Sequence, residues 1–185
     1  MLSGSGYTYE KPLLYYLTMQ IIEAGFDVVQ VHYTYDQSHF KTINMDFINR
    51  VIEDVDSVVE DVIASKKYDQ IIFVGKSLGT LPITFKYGQS TYFKEAKLVL
   101  LTPLFQVEGS YEKIKVSTNN SLVVIGTEDG NYIKSNIEVL RHHENMDLVE
   151  IAGANHSLEI VPVNMKESLK IIEKVMVEIN NFILK

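Results

Sequence analysis

Four apolar runs of strand length, rich in β-branched residues, punctuate the chain at 27–32, 70–74, 97–101 and 121–126, and a shorter one lies at 147–151. Helical periods fall between and around them. Phe47, Val51, Val55, Val58 and Val62 recur three or four apart, and the segment 12–24 begins at Pro12 and stops at Gly25. The clearest helix is the last, where Met165, Leu169, Ile172, Met176, Ile179 and Ile183 form one stripe that is expected to pack on a sheet face. Asn164 and Glu167 are spaced as a capping box just after Pro162.

Strands alternating with helices predict a doubly wound, mostly parallel sheet of five to six strands with helices on both faces, because each parallel connection needs a crossover. At 185 residues with 46% hydrophobic content, the chain suits one α/β domain spanning 1–185. No repeat or linker interrupts it, and the longest irregular stretch, 102–120, is too short for a cap domain.

Charge narrows the partners. A formal net charge of -7 opposes contact with nucleic acid phosphates or anionic lipid, so neither nucleic acid nor membrane is an expected partner. With no cysteine, disulfides and thiolate metal sites are excluded. Residues 1–9 lack a basic run leading into an apolar stretch, and no eighteen apolar residues run together, so neither a signal peptide nor a spanning helix is expected and the residence expected is cytoplasmic. G-x-x-x-x-G-K-[ST], H-E-x-x-H and a strand-to-helix G-x-G-x-x-G are missing, so no cofactor and no metal are expected.

Chemistry enters at Gly75-Lys76-Ser77-Leu78-Gly79, a G-x-S-x-G joining the apolar run 71–74 to a helical segment with Pro82 in its first turn. A sharp strand-to-helix turn strains the serine, and side chains two positions to either side would collide, so glycine is needed there. Chance alone yields the pentapeptide in about 4 to 6% of chains this long, but its context favours a nucleophile. The backbone N–H of Leu78 would be one oxyanion donor. Lys76 is expected to point to a helix or to solvent.

A serine hydroxyl needs a base, and the base needs a group that holds its tautomer. His156 lies downstream of Ser77 in the loop Ala152-Gly153-Ala154-Asn155-His156-Ser157, after a strand and before the last helix. His142 and His143 fall in a polar helical run and read as surface; His32, at a strand's C-terminal edge, either lines the cleft or is packed or solvated. Asp129 turns off the end of the 121–126 run and is the candidate acid, with Glu128 as the neighbour able to replace it. Ser77, Asp129 and His156 each end a separate predicted strand.

Together these residues resemble the α/β-hydrolase superfamily, and in particular its small, lid-less, bacterial esterase-like members. The resemblance covers nearly the whole chain. It implies that residues 2–7 correspond to the loop donating the second oxyanion N–H, by position Ser5, with Ser3 where the family usually has His. It also implies a central strand before that loop, of which Met1-Leu2 is a stub; either the chain as given begins late, at an internal methionine, or the strands at 27–32 and 70–74 close up around it. A shallow pocket lined by Tyr7, Leu104, Phe105 and Tyr111 is expected, taking a small acyl substrate. The implied function is hydrolysis of a small carboxylic ester or thioester. The alternatives are an amidase or peptidase with the same triad, or a non-catalytic ligand-binding or signalling protein on the same fold.

Overall fold

Aliphatic runs without polar alternation are stable where both sheet faces are covered, and that is the situation of β3 (Ser121–Gly126), all of whose residues are buried. β3 pairs in parallel with β2 (Lys97–Leu101) on one side and β4 (Met146–Ile151) on the other, and β1 (Ile72–Lys76) lies beyond β2. Each successive strand is added beside the last. The crossovers carry α3 (Thr80–Phe85), α4 (Ser110–Lys115) and α5 (Lys134–Leu140). Before β1 come α1 (Pro12–Glu23) and α2 (Met45–Ser65), and α6 (Met165–Leu184) follows β4. This computed structural model describes residues 1–162 and 164–185, with the backbone alone at Gln37 and Lys41.

Alternate strand residues serve opposite faces. Val99, Leu101, Leu122 and Val124 pack with Leu14 and Leu17 of α1 and Val175 and Ile179 of α6. Leu98, Leu100, Val123 and Ile125 pack with Val55 of α2, Ile83 of α3, Ile114 of α4 and Ile137 of α5. The fold is therefore the expected doubly wound α/β arrangement, and 102–120 holds α4 but no cap. Among the described residues no helix is long and apolar enough to cross a membrane.

Three details differ from expectation. Four strands, not five or six, form a ladder among the described residues. The segment 27–32 is extended, but only Val31 pairs, through a parallel bridge to Leu2, and Leu2 bridges in turn to Gly75. Leu2 N–H donates to Val74 O at 2.8 Å, Lys76 N–H to Leu2 O at 3.0 Å, and Val31 N–H to Met1 O at 3.1 Å. The neighbours do not close up around the stub; Leu2 itself stands between them, and below it an apolar slot of about 160 Å³, lined by Val28, Val31, Ile63, Ile71 and Phe73, separates the two segments.

The stripe on α6 is also rotated. Met165 and Leu169 are exposed, while Ile171, Val175, Ile179, Phe182 and Ile183 are buried. A four-three spacing is satisfied by two overlapping rows on this helix, and the row starting at Ile171 is the one that faces the sheet. Half of the expected box forms, with Asn164 Oδ1 accepting from Glu167 N–H at 3.2 Å, while the Glu167 carboxylate accepts from Lys170 at 2.8 Å.

Candidate active site

β1 ends at Lys76, and the chain reverses through a 3₁₀ turn, Ser77–Gly79, into α3. Ser77 has φ +54°, a region that costs an L-residue roughly 1–2 kcal/mol. A Cβ on Gly75 would run into the carbonyl of Gly79, and a Cβ on Gly79 into the carbonyl of Leu2. The two glycines thus permit backbone-to-backbone contacts that press the turn against Leu2 and leave Ser77 at the C-terminal edge of the sheet.

His156 is held by a loop that folds on Asn155. The Asn155 side-chain oxygen accepts from Ser157 N–H at 2.8 Å and Glu159 N–H at 3.1 Å, and Asn155 N–H donates to Glu159 O at 2.9 Å. Gly126, at the end of β3, lies so close to this loop that a Cβ there would overlap the carbonyl of Ala154. Asp129, three residues on, is therefore delivered beside the imidazole with its side chain fully buried.

The result is a continuous relay. His156 Nε2 lies 2.8 Å from Ser77 Oγ, and His156 Nδ1 lies 2.7 Å from Asp129 Oδ2. An ionised carboxylate only accepts, so Nδ1–H donates to Asp129 and Nε2 accepts from the Ser77 hydroxyl. Burial opposes the charge on Asp129. The hydrogen bond from His156 and those from the Asn131 backbone N–H (2.9 Å) and side chain (3.3 Å) outweigh it, holding the carboxyl below its ordinary range. Glu128 is exposed, and its backbone N–H donates to Ala154 O at 2.9 Å. His32 is exposed against the ring of Tyr9, centroids 5.0 Å apart, and His142 is exposed beyond α5.

The loop of residues 3–6 lies against the serine, since a Cβ on Gly4 would sit 3.3 Å from Ser77 Cβ. Gly4 exchanges hydrogen bonds with Tyr7, N–H to O at 3.1 Å and back at 3.4 Å, with Ser5 exposed at the apex. Ser3, in place of the family's His, is buried, and its carbonyl accepts from Tyr33 OH at 2.5 Å. Leu78 is buried directly after Ser77.

A protein-family model described as an alpha/beta hydrolase domain matches residues 2–184. The chain belongs to this family. No curated protein matches it in sequence. Its fold is similar to that of an alpha-beta serine hydrolase homologue from Coxiella burnetii, at TM-score 0.65 and 18% identity over 96% of this chain and 84% of that one. It is also similar to Est1E from Butyrivibrio proteoclasticus, at 0.68 and 16% over 100% and 87%. A serine hydrolase without a lid from Xanthomonas campestris aligns at 0.60 and 17% over 84% and 71%.

In this alpha/beta hydrolase the residues expected to line the pocket are mostly core. Tyr7 is buried with its OH accepting from Leu13 N–H at 3.3 Å; Phe105 is buried and meets the half-buried Tyr111 edge-on at 6.1 Å, on the face covered by α2–α5. Aromatic rings in a loop over a sheet are drawn under it by the area they bury. Leu104 alone joins the cluster around Leu78, where the half-buried Tyr33, Tyr35 and Phe40 also gather. The sequence signal for the tyrosines was their position just past the 27–32 run, at a strand's C-terminal edge, where sites form in such sheets.

Lys76 also departs from expectation. It points neither to solvent nor to a helix surface but is 1% exposed. Its Nζ donates to Thr102 Oγ1 at 2.6 Å and to the carbonyl of His156 at 2.7 Å, 5.1 Å above the Tyr7 ring.

Proposed function

We propose that this alpha/beta hydrolase is a serine hydrolase that cleaves small carboxylic esters or thioesters through an acyl-enzyme. The observation that supports the reading is the unbroken Ser77–His156–Asp129 relay at 2.8 and 2.7 Å, with the serine strained at positive φ. Ser77 Oγ attacks the acyl carbon as its proton passes to Nε2. The buried carboxylate of Asp129 stabilises the imidazolium and fixes its orientation. The proton then goes to the leaving oxygen or sulfur, and water repeats the sequence on the acyl-enzyme.

Charge on the tetrahedral oxygen would be met by the backbone N–H of Leu78 and, from the neighbouring loop, that of Ser5. The His156 side chain is 38% exposed, which favours an open site and small acyl groups. Leu104, Tyr33, Tyr35 and Phe40 around Leu78 would form its apolar wall. A fluorophosphonate probe should label the wild type stoichiometrically and Ser77→Ala not at all, with His156→Ala much slowed and hydrolysis of short p-nitrophenyl esters following the same order. Equal labelling of wild type and Ser77→Ala, or none of a folded wild type, would refute the assignment.

A further inference from the structure

A lysine buried to 1% in a sheet interior is costly to keep there, and among the described residues no carboxylate pairs with Lys76. A methionine, one atom shorter, would fill most of the space without that cost, so the side chain is poorly explained by stability. Its partners are informative. Lys76 is the last residue of β1, directly before the nucleophile; Thr102 follows the end of β2 with φ +45°; His156 is the base. One ammonium therefore ties together three chain segments that meet at the site, and it grips the base's loop at the backbone of the base itself.

We propose that Lys76 is a positioning residue for His156, its Nζ hydrogen bond to the His156 carbonyl setting how far the imidazole stands from Ser77. The inference rests on the reading of Ser77 and His156 as nucleophile and base. It touches neither substrate nor reacting atoms. The geometry makes the effect local, because Asn155, Ser157 and Glu159 shape the loop internally through Asn155, whereas Lys76 alone among these contacts ties the loop to the nucleophile strand. Burial pushes the ammonium down to about 8, while the charges of Asp129 and Glu159 act the other way.

The test is Lys76→Met in the full chain, with Lys76→Gln, whose amide stops one bond short of the ammonium, as a second variant should Met fail to fold. Three readouts are taken: the melting temperature, the kcat against KM split together with the fluorophosphonate labelling rate, and hydrogen exchange at the amides of Ala154, Asn155, Ser157 and Leu158, which are bonded within the loop. Lys76→Met should melt no lower than wild type, lose about 10-fold or more in kcat and labelling with KM within about twofold, and exchange the loop amides about 10-fold faster while β3 amides hold. Unchanged exchange, or kcat and labelling within about twofold of wild type, would overturn the proposal. If wild type itself fails to react, the catalytic reading has failed, and the exchange comparison still decides whether Lys76 holds the loop.

Discussion

Replacing Asp129 with asparagine tests the relay at the point where its geometry is least forgiving. Asp129 Oδ1 accepts from two N–H groups of Asn131, at 2.9 and 3.3 Å, and Oδ2 accepts from His156 at 2.7 Å. The amide of Asp129→Asn has one oxygen, and the two Asn131 donors compete for it. With the oxygen kept toward Asn131, the NH₂ faces Nδ1, which must then offer its lone pair; the proton moves to Nε2, and Nε2 can no longer accept from Ser77. Turning the amide to restore the tautomer sets NH₂ against two donors, at about 1–3 kcal/mol each. The penalty of about 2–6 kcal/mol corresponds to roughly 30-fold to 10⁴-fold in rate, and the loss of about 10⁴ for this exchange in a Ser-His-Asp site lies at the upper end. Turnover of p-nitrophenyl acetate and the rate of fluorophosphonate labelling should both fall by about 10³ or more. Asp129→Ala, which leaves the tautomer free, should be impaired no more than the Asn variant. A folded Asp129→Asn within about tenfold of wild type would refute the tautomer argument.

Three other outcomes are expected. Gly79→Ala drives a Cβ into the Leu2 carbonyl, which already accepts from Lys76 N–H, so it should lose about 3 kcal/mol in denaturant titration along with probe labelling. Asn119 is buried and its Nδ2 serves the carbonyls of Phe93 at 2.7 Å and Ala96 at 2.9 Å; Asn119→Ala strands both and should cost about 2 kcal/mol with the catalytic relay intact. Lys76 releases its proton at about 8 in the folded protein and at 10.5 when unfolded, so the unfolded state binds more protons between those values and stability rises with pH across that window. The gain is about 3 kcal/mol, fully present above the unfolded value and lost as pH falls through 8; urea midpoints from pH 8 to 10.5 should show it in wild type relative to Lys76→Met, and parallel curves would refute it.

Legibility from sequence follows how local each signal is. β2 and β3 are found at the predicted positions 97–101 and 121–126, because a strand buried on both faces announces itself by composition alone. The segment 27–32, Asp-Val-Val-Gln-Val-His, is half polar and forms no ladder; among the described residues its backbone partners are Met1 and Leu2, two residues that give one bridge and no strand. That Ser77, Asp129 and His156 meet was legible because each sits in a turn with its own glycine or Asx signature. The pocket could not. Tyr7 and Phe105 are aromatics of the right kind in the right loops, but whether a ring turns inward is settled by neighbours distant in sequence. Lys76 escaped for the opposite reason: a charged residue at a strand end defaults to solvent, and its partners lie 26 and 80 residues away.

The glycines explain why three distant residues can meet to within a hydrogen bond. Side-chain packing alone leaves tenths of an ångström of play, but at Gly79 and Gly126 backbone meets backbone with no side chain between. One contact presses the serine's turn against Leu2, whose carbonyl is fixed by Lys76 N–H; the other presses the end of β3, three residues before Asp129, against Ala154, two residues from His156. Ser77 is thereby referenced to β1 and Asp129 to the loop of His156. Among the described residues, the side-chain hydrogen bonds that run directly from β1 and its turn to the His156 loop are the Ser77–His156 bond itself and the grip of Lys76 on the His156 carbonyl. In the proposed mechanism the first would break and reform in every turnover, and the second is then the one able to keep the two loops in register while it does.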